Sequence, residues 1–73
     1  MALLRQIKPR QIEMVLVRKG FIARTTKSSH VVYRHPDGRR TIVPRHNKPV
    51  RIGTFMAILR QAEISKENFL DLL

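Results

Sequence analysis

The hydrophobic pattern of residues 30–44 is typical of two β-strands joined by a tight turn. β-branched and aromatic residues at 31–33 and 41–43 favour strands. Between them, Pro36 suits the first central position of a type I turn, Asp37 can bond its own backbone, and Gly38 can take the left-handed position that follows. Pro44 has no N–H for a continuing strand, so the second strand is predicted to end there.

The three-residue turn also predicts the register of the hairpin, with Val32 opposite Ile42. Because side chains alternate across a strand, the residues divide into two faces. One face holds His30, Val32, Arg34, Arg40 and Ile42; the other holds Val31, Tyr33, Thr41 and Val43. We assign the first face to solvent and function, because it groups an ionisable histidine with two guanidinium groups, and the second face to the core.

A first helix is predicted over residues 10–19, before the hairpin. Its apolar stripe consists of Ile12, Val15 and Leu16, widened by Met14 and Val17. Pro9 suits the first turn, where its missing N–H costs nothing. Gly20 is expected to end the helix in a left-handed conformation. Residues 21–24 then have the pattern of a further strand.

A second amphipathic helix is predicted after the hairpin, with Thr54 as its N-cap. Its apolar residues recur at i, i+3, i+4 and i+7: Phe55, Ile58, Leu59 and Ala62. Ser65 is predicted to cap a short last helix with an apolar end. The order of helix, three antiparallel strands, helix and short C-terminal helix predicts a two-layer α+β fold in a single domain, 1–73. Two helices would cover one face of the sheet.

Charge then indicates what kind of partner the chain has. Its 73 residues carry 15 Lys and Arg against 5 Asp and Glu, a net charge of +10. Such a field favours nucleic acid, an anionic membrane surface or an acidic protein as partner, and it disfavours self-association. The chain has no cysteine, no apolar run long enough to span a membrane and no signal-peptide pattern at its start. We therefore expect a cytoplasmic protein without a membrane partner.

The three histidines are the candidates for chemistry. His30 and His35 fall on opposite faces in the predicted register, so a shared metal ion is not expected, and three isolated glycines cannot form a P-loop or dinucleotide loop. RNA cleavage needs fewer catalytic groups from the protein, because the substrate's own 2′-OH is the nucleophile. The protein supplies only proton transfer and charge stabilisation. His30 is thus the candidate general acid/base. His35 is expected to help close the turn, and His46 to be solvent-exposed or a phosphate contact.

The candidate RNA-binding residues surround this histidine in sequence. They are Lys27, Ser28, Ser29, Arg34, Arg40 and Lys48. Other interpretations stay open: a non-catalytic RNA-binding module with the same basic face, or a basic protein that docks on an acidic protein surface. Arg39 and Arg40, directly after the turn, are commonly just a solvated hairpin tip.

Three stretches together resemble the HicA-type toxins of bacterial toxin–antitoxin pairs. They are Ser-Ser-His-Val-Val-Tyr at 28–33, His-Pro-Asp-Gly-Arg-Arg-Thr-Ile-Val-Pro at 35–44 and Gly-Thr-Phe-Met-Ala-Ile-Leu-Arg-Gln-Ala at 53–62. The resemblance runs from about residue 9 to residue 64. The chain departs from the family pattern in two places: Ser28 replaces the glycine usual before Ser-His, and Val31 replaces a second histidine.

The resemblance implies a fold like that of double-stranded-RNA-binding domains and an mRNA interferase, an endoribonuclease whose catalytic residue is His30. No cofactor or metal is implied. The implied partners are mRNA and a HicB-type antitoxin, which would cover the active face in a hetero-oligomer and repress the pair's own operon with it. The free toxin is expected to be a monomer. The tail at 65–73 extends beyond the family pattern and is expected to cap the core or to join a partner interface.

Overall fold

The computed structural model describes residues 7–25, 29–46 and 48–73. Its elements are α1 (Pro9–Arg18), β1 (Ile22–Thr25), β2 (His30–Arg34), β3 (Arg40–Pro44), α2 (Ile52–Ala62) and α3 (Lys66–Leu72). The strands form one antiparallel sheet in the order β1-β2-β3, and α1 and α2 pack on one side of it. The predicted α+β order is therefore confirmed. None of the described helices is long and apolar enough to span a membrane.

The β2–β3 hairpin has the predicted register. His30 pairs with Pro44, Val32 with Ile42 and Arg34 with Arg40. The Gly38 N–H donates to the His35 carbonyl at 2.9 Å, and Gly38 has a φ of +101°, which an L side chain rarely adopts. The face assigned to the core is indeed buried: Val31, Tyr33, Thr41 and Val43 are each at most 3% exposed.

Helix α1 ends in a Schellman motif, and this motif fixes the start of β1. Gly20 has a φ of +95°, and the Phe21 N–H donates to the Leu16 carbonyl at 2.9 Å. Because that N–H is used by the helix, the strand begins at Ile22, one residue later than predicted. The prediction that Met14 and Val17 widen the buried stripe was wrong: they are 39% and 58% exposed.

Helix α2 begins earlier than predicted, so the assignment of Thr54 as its N-cap was wrong. The preceding segment is held by Val50, which is buried and whose N–H donates to the Ile7 carbonyl at 2.7 Å. Arg51 is consequently the extended residue before the helix, and Thr54 lies within its first turn. At the other end Glu63 adopts a left-handed conformation, with φ 58° and ψ 46°.

The C-terminal tail belongs to the core. Ser65 caps α3 as predicted, its Oγ accepting the Asn68 N–H at 3.1 Å. Phe69 is 1% exposed and packs edge-to-face on Phe55, with ring centroids 4.9 Å apart. Leu72 is partly buried against the core, whereas Leu70 and Leu73 are exposed. This tail therefore caps the hydrophobic core, one of the two roles expected for it.

Arg39 is not part of a solvated hairpin tip, contrary to the expectation from sequence. Its Nη1 donates to the Ala62 carbonyl at 2.5 Å, and its Nε donates to Asp37 Oδ2 at 2.8 Å. The guanidinium also lies over the Phe21 ring, 5.1 Å from its centroid. A long side chain thus joins the turn of the hairpin to the last turn of α2.

His35 closes the turn, as predicted. Its Nδ1 accepts the Asp37 N–H at 3.1 Å, and its ring packs against Phe21. The Arg39 backbone N–H bonded to the Asp37 carboxylate, assisted by the Arg39 side chain, holds the pKa of Asp37 below its ordinary value. The second histidine of the hairpin, His35, is therefore structural and lies at the turn, away from the head of β2.

Candidate functional site

His30 lies at the head of β2, on the exposed face of the sheet. It pairs with Pro44, the last residue of β3. The strand pairing then continues by one more bond, because the Arg45 N–H donates to the Ser29 carbonyl at 2.6 Å. This bond holds the loop after β3 beside the histidine.

A groove of about 370 Å³ opens in front of this corner of the sheet. Its lining comprises His30, Ile42, Pro44, His46, Lys48, Pro49, Val50, Arg51 and Thr54. The sheet supplies one wall; the loop after β3 and the start of α2 supply the other. Two imidazoles, an ammonium and a guanidinium therefore line one open groove.

The start of α2 adds to the positive potential of the groove. Arg51 is the residue before the helix, and Thr54 lies in its first turn, where backbone N–H groups have no partner within the helix. The positive end of the helix dipole favours anions at this position. The groove suits a phosphate group, which would be met by side-chain cations and by the end of a helix.

The predicted site residues do not all lie together. Lys48 lines the His30 groove and Ser29 directly precedes the histidine, so these two are close to it. Arg34 and Arg40 pair with each other at the opposite end of the hairpin, four residues from His30, which is ~13 Å at ~3.3 Å per residue. They can contact another part of a long ligand but not the group at His30. Lys27 and Ser28 lie outside the described residues.

The exposed face of the sheet continues from the groove to these arginines. Ile22 pairs with Arg34 and Arg24 with Val32, so β1 contributes one apolar and one cationic side chain to the face. Val32 is half-buried and Ile42 is 41% exposed. By register, no carboxylate lies on this face within the described strands. The face therefore combines an apolar centre with cationic flanks.

Sequence reasoning missed Arg51 and Arg24 as site candidates. The loop at 45–51 contains Arg45, Lys48 and Arg51, but the sequence alone does not indicate which of these cations line the groove with His30. Arg24 could be placed on the exposed face only once the pairing of β1 with β2 was known. The connection between β1 and β2 has no turn signal comparable to that of the hairpin. The register of the β1–β2 pair was the missing information in that case.

Helices α1 and α2 cover the opposite side of the sheet. Burial raises the pKa of Tyr33, and a hydrogen bond with the Glu13 side chain and the charge of that carboxylate raise it further. One of the five carboxylates of the chain is thus engaged beneath the sheet, away from the groove. Among the described residues, no three side chains of His, Asp or Glu cluster closely enough to hold a metal ion.

Together, the fold and the groove define a class: a small, strongly basic α+β domain that presents histidine and cationic side chains at one corner of an open sheet face. A family model described as HicA toxin of bacterial toxin-antitoxin matches residues 9–64. The match covers most of the chain, and the protein belongs to this family of toxins. Membership implies an antitoxin partner. No curated protein matches the chain significantly.

Proposed function

We propose that this toxin is an mRNA interferase, an endoribonuclease that acts in the cytoplasm and uses His30 as a general acid/base. The observation that carries the proposal is the position of His30, in an exposed groove whose opposite wall bears Lys48 and Arg51. An imidazole changes charge near neutral pH and can transfer the proton of the attacking 2′-OH. The two cations stabilise the charge that develops on the phosphate.

The cations at the far end of the sheet face bind the same RNA strand at a distance. Arg34 and Arg40 are too far from His30 to touch the reacting phosphate, and they hold neighbouring phosphates instead. Placing like charges directly opposite each other on paired strands is unfavourable in the free protein. An anion lying across the pair removes that repulsion.

The test compares induction of the parent protein, His30→Ala and Lys66→Gln, with the folding of each confirmed by circular dichroism. Lys66 is an exposed cation on α3, outside the groove, and serves as the matched surface control. Growth arrest and mRNA decay are expected from the parent and from Lys66→Gln but not from His30→Ala. If His30→Ala behaves like the parent, catalysis by this residue is excluded and the alternative, a non-catalytic RNA-binding module, becomes the favoured interpretation.

We further propose that a HicB-like antitoxin covers the sheet face and packs on Val32 and Ile42. These side chains form the apolar centre of a face whose charged side chains are all cationic, and an acidic partner with apolar contacts would complement it. Val32→Thr keeps the shape and charge of the face and is expected to weaken the complex. Val17→Thr makes the same change on an exposed position of α1 and is the control. Equal affinities of the two variants would show that the antitoxin binds elsewhere.

A further inference from the structure

The groove contains a second imidazole that the proposed mechanism does not use. His46 lies two residues beyond Pro44, the pairing partner of His30, and lines the same groove from the loop after β3. It is exposed, and it also borders the neighbouring surface formed by the start of α1 with Glu13 and Arg45. The Ser29–Arg45 backbone bond holds this loop against the strand that carries His30.

Cleavage of RNA by its own 2′-OH requires two proton transfers at opposite sides of phosphorus. A base removes the 2′-OH proton as the O2′–P bond forms, and an acid protonates O5′ as the P–O5′ bond breaks. The products are a 2′,3′-cyclic phosphate and a 5′-hydroxyl, so atoms and charge balance without water or any further reactant. A neutral imidazole can serve as the base and an imidazolium as the acid.

We propose that His46 is a second catalytic residue and that His30 and His46 form an acid–base pair across the groove. This inference rests on the proposed ribonuclease activity and deepens it. The sheet presents one imidazole and the loop presents the other, with space between them for a phosphodiester. Lys48 and Arg51, which line the same groove, bind the non-bridging oxygens of the phosphate that lies between the two imidazoles.

The test uses a short RNA that spans a cleavage site of the wild-type protein, made with the ordinary 5′-oxygen or with sulfur as the bridging atom. A thiolate leaves without protonation, so the sulfur substrate needs no acid. Wild type, His30→Ala, His46→Ala and Lys48→Ala are compared on both substrates. Loss of one proton transfer is expected to slow cleavage of the ordinary RNA by about 10²–10⁴-fold.

If the two histidines form an acid–base pair, both histidine variants cleave the ordinary RNA slowly. The sulfur substrate then restores the cleavage rate of just one of them. The rescued variant has lost the acid, and the other has lost the base. Lys48→Ala is expected to bind RNA more weakly with a smaller salt dependence and to show no selective rescue.

The inference is overturned if His46→Ala cleaves the ordinary RNA as fast as wild type, or if neither histidine variant is rescued. In the second case His46 would be a phosphate contact only. Failure of the proposed function gives a different result: the wild-type protein does not cleave RNA, or His30→Ala cleaves it at the wild-type rate. Both histidines are exposed, so the thermal midpoints of the variants are expected to match that of wild type.

Discussion

Replacing Arg39 by alanine tests how the hairpin is fixed to α2. The side chain donates to the Ala62 carbonyl at 2.5 Å, and its guanidinium lies over the Phe21 ring at 5.1 Å. A hydrogen bond from a charged donor contributes about 1.5–3 kcal/mol, and an exposed cation–π contact about 0.5–1 kcal/mol. The ion pair with Asp37 adds little because that carboxylate is at the surface.

We therefore expect Arg39→Ala to lower the free energy of unfolding by about 2–4 kcal/mol. For a domain of this size the thermal midpoint falls by about 4–8 °C per kcal/mol, so the expected shift is about 8–32 °C. The measurement is thermal and urea unfolding followed by circular dichroism, in a His30→Ala background so that the protein can be produced.

The neighbouring residue provides the control. Arg40 bears the same charge but lies exposed on the sheet face opposite Arg34. Arg40→Ala removes a like-charge pair, so stability should stay within about 0.5 kcal/mol of the parent. Equal destabilisation by the two substitutions would refute this account, since it would mean that Arg39 acts through charge alone and not through its contacts with α2.

Three further substitutions test other parts of the scaffold, each by the same unfolding measurements. Glu63→Gly relieves the left-handed conformation at the end of α2 and should raise stability by about 0.5–1 kcal/mol; a decrease would show that the glutamate side chain is needed there. Phe69→Ala should cost about 3–5 kcal/mol, whereas Leu70→Ala on the exposed side of α3 should cost far less. The lowered pKa of Asp37 means that its carboxylate stabilises the fold above the ordinary value of 3.8 and less as the pH falls below it. Asp37→Asn should thus be less stable than the parent at neutral pH, with a difference that shrinks on acidification; a constant difference would contradict the linkage.

The hairpin could be predicted from sequence in detail because local chemistry specifies it. The turn at 36–38 fixes the register, and the register fixes which face His30 occupies. The end of α1 at Gly20 could be predicted in the same way, because the left-handed conformation needed there is one that glycine adopts readily. Both features depend only on neighbours in the chain.

The features that sequence reasoning missed depend on contacts between distant segments. The start of α2 is displaced by the bond between Val50 and Ile7, and no pattern near Thr54 reveals it. Arg39 reaches a carbonyl 23 positions away along the chain, so its structural role could not be distinguished from that of Arg40. Arg51, the residue directly before α2, lines the groove, and no local sequence pattern indicates this.

In the proposed mechanism, His30 promotes attack by the substrate's own 2′-OH. The most direct test incubates the purified protein and its His30→Ala variant with an mRNA fragment and with the same fragment bearing a single 2′-deoxy residue at the mapped cleavage site. We predict that the parent cuts the all-RNA fragment, leaving a 2′,3′-cyclic phosphate, and spares the deoxy position, while His30→Ala cuts neither. Cleavage at the deoxy position, or undiminished cleavage by His30→Ala, would contradict the account.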